Sequence, residues 1–145
     1  MSSLFLYSFD NLSTTMEFTQ IKETCLYVSD LEKTRSFYCD KLGLEFISLV
    51  KGRHVFFRAG TSVLLCFIAE TTKDEKTLPP HFASGQIHLA LEVEAGNYEN
   101  CKENISSAGI KIEHEEEWGN DFRSFYFRDP DNHLLEVVQK GMWEK

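Results

Sequence analysis

The sequence predicts an α+β fold made of two tandem βαβββ units. The chain repeats itself: SFYFRDPDNHLLEVV at residues 124–138 has a weaker copy, HVFFRAGTSVLLCF, at residues 54–67. The segments ahead of these copies also match, ETCLYVSD from Glu23 with HLALEVEA from His88. Each of those segments is followed by apolar residues at helical spacing and then by a glycine, Gly43 or Gly109. Repetition of this kind marks two versions of one supersecondary unit sharing a core.

The first unit, residues 20–69, opens with a strand over Ile21–Val28, where Cys25 and Tyr27 face one way and Leu26 and Val28 the other. Ser29 and Asp30 are capping residues, and Leu31, Thr34, Phe37, Tyr38 and Leu42 then recur at helical spacing. Gly43 suits the left-handed residue that ends many helices. Strands are expected over 44–50, 54–59 and 62–68, joined at Lys51-Gly52 and Gly60-Thr61. Polar residues 69–85, with Pro79-Pro80, read as a linker. The second unit, residues 86–140, repeats the order. A strand over 87–93 is followed by a helix over 97–108 with Tyr98, Cys101 and Ile105 on its apolar side. Strands near 110–114, 123–128 and 134–138 complete it. Asp129-Pro130-Asp131-Asn132 is turn chemistry, because proline fixes φ and Asx side chains bond back to the backbone.

The 145-residue chain reads as a single domain over 18–145 preceded by a flexible extension over 1–17, with Met16 a candidate start of the core sequence. A net charge of −8 argues against nucleic acid, which selects basic surfaces. No run approaches the roughly 18 apolar residues of a membrane span. The N-terminal stretch lacks the basic region and cleavage site of a signal peptide. Cys25, Cys39, Cys66 and Cys101 form no CxxC pair, which points to free thiols in a reducing, cytoplasmic setting.

Aligning Phe57-Arg58 with Phe127-Arg128 places Cys66 opposite Glu136, and Glu23 falls opposite His88. Glu23, His88 and Glu136 are metal-ligand residue types at corresponding ends of similar units. Glu136 lies in an apolar strand, where a dry, unpaired carboxylate costs several kcal/mol. Metal ligation, a salt bridge or a solvent-facing edge would each account for it. His88 by itself reads as a structural histidine and Glu23 as the exposed first residue of a strand. Cys66 in LLCFI reads first as a small buried hydrophobe. The acidic run Glu113, Glu115, Glu116 and Glu117 reads as a solvated loop, and His54, His81, His114 and His133 as surface or turn residues.

Two segments, LYVSDLEKTRSFYCDKLGLEF and SFYFRDPDNHLLEVV, together resemble the vicinal oxygen chelate superfamily, the glyoxalase, bleomycin-resistance and dioxygenase group. The resemblance covers about residues 20–140. It implies curved sheets enclosing a cup, with ligands on the first and last strands of the units. By position the metal ligands are then Glu23, His88 and Glu136, with Cys66 where glyoxalase I has a fourth. Cys25, Tyr27, Phe56, Cys66 and Tyr126 become pocket lining, as at most does Trp118.

One histidine and two carboxylates suit Mn²⁺, Ni²⁺, Zn²⁺ or Fe²⁺. The implied function is a metal-dependent, glyoxalase-like lyase or isomerase, or a related transferase, acting on a small oxygenated substrate. The metal stabilises developing negative charge, and Glu136 or Glu23 serves as the base. Fosfomycin transferases place basic and hydroxyl residues where this chain has EHEEEWGNDF, which disfavours a phosphonate substrate. The alternative is a metal-free binding protein of the bleomycin-sequestering type. An extradiol dioxygenase is disfavoured, since those enzymes usually carry two such double units. Members with two units per chain commonly form homodimers whose cups combine unit one of one chain with unit two of its mate. The linker is long enough for that exchange.

Overall fold

The computed structural model describes residues 16–144, so all but the last two residues of the expected extension lie outside the described part. Two four-stranded sheets are present. The first is β1 (Glu23–Tyr27), β2 (Glu45–Val50), β3 (His54–Ala59) and β4 (Ser62–Phe67), in spatial order β1-β4-β3-β2. The second is β5 (His88–Val93), β6 (His114–Gly119), β7 (Phe122–Arg128) and β8 (Leu134–Gln139), in the matching order β5-β8-β7-β6. In each sheet the first and last strands pair in parallel and the others are antiparallel. The edge strands β2 and β6 each carry a register irregularity, between Phe46 and Ser48 near the start of β2 and between Glu117 and Gly119 near the end of β6. This is the expected pair of βαβββ units.

Helix α1 (Leu31–Arg35) begins as the capping residues require. The Asp30 carboxylate accepts a hydrogen bond from the Lys33 N–H at 3.0 Å. The helix runs on without a break into a π-helical turn, Ser36–Lys41, from which both Phe37 and Tyr38 are buried. Gly43 then takes φ +75°, and the chain turns into β2. Helix α2 (Ala69–Lys73) is a short turn inside the predicted linker, and α3 (Tyr98–Ser107) repeats the role of α1 in the second unit. No helix among the described residues is long and apolar enough to cross a membrane.

One continuous core joins the two units. Leu26, Val55, Phe57 and Cys66 of the first sheet meet Phe125, Phe127, Leu135 and Val137 of the second, through Phe37, Tyr38, Tyr98 and Ile105 of the helices. Burial of each such large side chain contributes about 1.5–3 kcal/mol. Each sheet therefore turns one face to this shared core and the other away from it, the outer face being covered in part, where His54, Phe67 and Val138 are buried.

The turn after β7 docks the second unit on the first. Asp129 is buried, and its carboxylate accepts from the backbone N–H groups of Asp131 and His133, each at 2.9 Å. Its other oxygen accepts from the Tyr38 hydroxyl at 2.7 Å. Burial, and then the Asp129 charge, push the Tyr38 phenol far above its usual range. His133, expected at the surface, is only 2% exposed. Its Nδ1 accepts from the Ile87 N–H at 2.9 Å, so Nε2 carries the proton and donates to the Tyr27 carbonyl at 2.7 Å. That single ring ties β1 to the residue preceding β5.

Two further expectations are corrected. The strand anticipated near residues 110–114 lies at His114–Gly119, so Glu115, Glu116 and Glu117 of the acidic run are in β6 and not in a loop, with Glu113 just ahead of it. Its charges have partners. Glu115 is paired with Lys102, 2.6 Å away, and accepts from the Tyr98 hydroxyl, while Glu113 holds Arg128 at 3.1 Å. Burial raises the Glu115 carboxyl, but hydrogen bonds from Lys102 and Tyr98 outweigh it and leave the group below its ordinary value. His54 is buried as well, its ring stacked on Phe56 with centroids 3.8 Å apart.

Candidate functional site

Strands β5 and β8 pair in parallel with Ala90 opposite Glu136, and β7 pairs with β8 so that Tyr126 stands opposite the same Glu136. Partners across a ladder share a face. His88, Tyr126 and Glu136 thus lie together on the outer face of the second sheet. They line a cavity of about 440 Å³ with Trp118, Met142 and Trp143.

The geometry of the His88–Glu136 pair limits its chemistry. His88 Nδ1 is 2.9 Å from the Leu134 carbonyl oxygen. A carbonyl oxygen only accepts, so Nδ1 carries a proton and donates. Nε2 then faces Glu136 Oε2 at 3.2 Å. In the neutral ring both atoms present lone pairs, and at that distance they hold a proton or a cation between them. A ring nitrogen turned to a carboxylate, with the other nitrogen anchored on a backbone carbonyl, is the usual arrangement of a metal-binding histidine. Glu136 is 7% exposed, with no lysine or arginine in an ion pair with it among the described residues. These residues fit a divalent ion.

Tyr126 completes this wall, its ring 6.3 Å from that of His88 at 30°. Burial raises its phenol; hydrogen bonding to Ser124 opposes the rise, and the Glu136 carboxylate adds to it.

The other expected residues lie on the first sheet. Glu23, Cys25 and Tyr27 alternate along β1, and Cys25 is in register with Leu65, itself opposite Phe56. Glu23 is exposed. Burial, with Glu23 adding to it, raises the Cys25 thiol. The Tyr27 hydroxyl is 2.6 Å from His81 Nδ1. Cys66 is the exception. It is in register with Leu26 and Val55, both completely buried, and is itself 0% exposed. It packs in the core instead of lining a pocket, and burial drives its thiol well up. Leu65 holds the place on the outer face.

No three His, Cys, Asp or Glu side chains converge among the described residues of one chain, so Glu23 does not join His88 and Glu136 within it. A larger cleft, about 730 Å³, lies elsewhere, between the C-terminal end of the α1 segment, the β3–β4 turn and α3. It contains Glu92 and Lys41 but no histidine, and its asparagines and small apolar groups assemble no ligand set. The cavity lined by His88 and Glu136 is the candidate site.

Over residues 20–137 the chain matches the Glyoxalase/Bleomycin resistance protein/Dioxygenase superfamily. It belongs to that superfamily. Among solved structures it is similar to the lactoylglutathione lyase of Agrobacterium tumefaciens, at 30% identity with a TM-score of 0.84, covering 90% of this chain and 100% of that one. It is also similar to the virulence protein STM3117 of Salmonella typhimurium, at 26% identity and a TM-score of 0.67, covering 86% and 98%. A curated relative, glutathione transferase FosA of Serratia marcescens, is 29% identical over 115 residues, 77% of this chain and 74% of that protein.

As a glyoxalase-superfamily chain, this one puts its histidine and last-strand carboxylate side by side in the second unit. Sequence reasoning missed Met142 and Trp143. The signal was an apolar, aromatic stretch, GMW, directly after the last strand.

Proposed function

We propose that this chain is a metal-dependent lyase or isomerase of the glyoxalase type, acting on a small substrate with two neighbouring oxygens. The observation that carries the reading is the His88–Glu136 pair, 3.2 Å apart, with the far side of the ring anchored on Leu134. A bound divalent ion would supply Lewis-acid stabilisation of negative charge on those oxygens. Glu136, buried beside the cavity, is the base that takes a proton from a carbon adjoining an oxygen and returns it to the neighbouring carbon. Tyr126, directly across the ladder, is the hydrogen-bond donor that orients the substrate. Likeness to a lactoylglutathione lyase supports lyase chemistry. Phosphonate transfer is disfavoured because no lysine or arginine among the described residues lines the cavity.

Glu23 is the third ligand in this reading, delivered by a second copy of the chain. The two outer sheet faces belong to units that share one core, so a homodimer pairing unit one of one chain with unit two of its mate would join them. The four free cysteines support a reducing, cytoplasmic setting.

Calorimetric titration with Mn²⁺ or Ni²⁺ tests the reading. Wild-type protein binds stoichiometrically, whereas His88→Ala, altered at a half-exposed side chain, melts normally and loses binding. Unchanged affinity in that variant would remove His88 from the site. A second reading, a metal-free binding protein of the bleomycin-resistance type, is favoured by the Trp118, Tyr126 and Trp143 lining. Elemental analysis of protein purified without chelator or nickel resin separates the two.

A further inference from the structure

We infer that the His88–Glu136 cavity selects a substrate bearing a planar aromatic group beside its two oxygens, and that Trp118 and Trp143 hold that group. The inference rests on the cavity being the chemical site. Trp118 is 55% exposed and Trp143 82%, both bordering a buried carboxylate. Large apolar surface left open around a polar pair marks a binding surface. The Trp118 N–H is already donated to the Ser124 hydroxyl at 2.9 Å, so this residue brings an apolar indole to the cavity and no free donor. Tyr126 and Met142 continue the wall. The volume, about 440 Å³, lies in the range of small-molecule sites and exceeds the needs of a methyl-sized substituent. Flat π faces favour an offset-stacked ring over a branched aliphatic group.

Charge sets the other half of the selection. Arg128 shares the Tyr126 face of β7, but its guanidinium is taken up by Glu113 at 3.1 Å, Gln86 at 3.2 Å and the Asn132 carbonyl at 3.1 Å. Among the described residues no lysine or arginine lines the cavity to meet an anionic tail.

Benzohydroxamate and acetohydroxamate present the same two neighbouring oxygens and differ only in the ring. Their binding to the Mn²⁺-loaded full-length chain is followed by calorimetry. Tryptophan fluorescence serves as a second readout for wild type and the single variants, because the chain's only two tryptophans both line this cavity. Benzohydroxamate binds at least ten-fold more tightly to wild type. Trp143→Ala, at an exposed position outside the strands, and Trp118→Ala each reduce that preference, and the double variant brings it within two-fold by weakening benzohydroxamate far more than acetohydroxamate. Trp118→Phe retains it. Equal affinities in wild type, or a preference untouched by both alanine variants, overturn the aromatic selection even where metal-dependent binding of both probes leaves the His88–Glu136 reading standing. Conversely, a ring preference that persists without Mn²⁺ and in His88→Ala supports the tryptophan contact and removes the metal reading.

Discussion

Tyr126 and Glu136 face each other across the β7–β8 ladder, where the corresponding partners of the first unit are Phe56 and Leu65. The equivalence follows from the turns. The Arg128–Leu134 pair encloses residues 129–133, and the Arg58–Val63 pair encloses residues 59–62, one residue fewer. An ungapped alignment therefore slips by one on the last strand, and a one-residue slip exchanges the two faces of a sheet. That slip is how Cys66 came to be matched with Glu136. Only the second unit carries a polar pair at this level.

If Cys66 is core, its substitutions separate stability from binding. Cys66→Val roughly preserves volume and leaves metal affinity within a few-fold. Cys66→Ser puts a hydroxyl among Leu26 and Val55 and lowers unfolding free energy by about 1–3 kcal/mol in urea titration. A ten-fold loss of metal affinity in Cys66→Val, about 1.4 kcal/mol, would show the thiol to be a ligand after all.

The turn that docks the units is a stability device. His133→Ala leaves the Ile87 N–H and the Tyr27 carbonyl without their partner. Each unsatisfied buried group costs about 1–3 kcal/mol, so a clear drop in melting temperature is expected. Tyr38→Phe, which strips Asp129 of its 2.7 Å partner, falls in the same range. Wild-type melting behaviour in both variants would contradict the docking role.

His54 predicts a mildly acid-sensitive fold. Burial, and then the Arg53 charge, lower its folded-state pKa below the ordinary 6.5. The unfolded chain therefore binds the proton more readily, and stability is lost as pH falls from about 6.5 toward the lower folded value. Urea unfolding at pH 7.5 and 5.5 measures the difference. It shrinks in His54→Gln, and an unchanged difference would assign the acid sensitivity to other groups.

The shared site has a mixing test. Co-expressing Glu23→Ala and His88→Ala chains yields heterodimers in which one site is intact and the other carries both lesions. Calorimetry on verified heterodimers is expected to recover half the wild-type metal stoichiometry. No recovery, or metal binding by a monomer in solution, would place the whole site within one chain.

The sequence alone determined the repeat, the βαβββ order, the Asp129–Asn132 turn and the nearness of His88 to Glu136. All of these follow from local periodicity, turn chemistry and one short repeat alignment. Tertiary structure decided the rest. Most of the acidic run became β6 because Glu115 reaches Tyr98 and Lys102 on α3, contacts that periodicity does not encode. His133 is buried because it bridges β1 and the residue before β5, more than 40 residues apart in the chain. Leu65 replaced Cys66 on the outer face because register depends on turn length. Met142 and Trp143 entered the cavity wall through a turn after β8, where the Met142 N–H donates to the Gln139 carbonyl. Local residue pattern sets which elements form, whereas the face a side chain presents depends on pairings between distant segments.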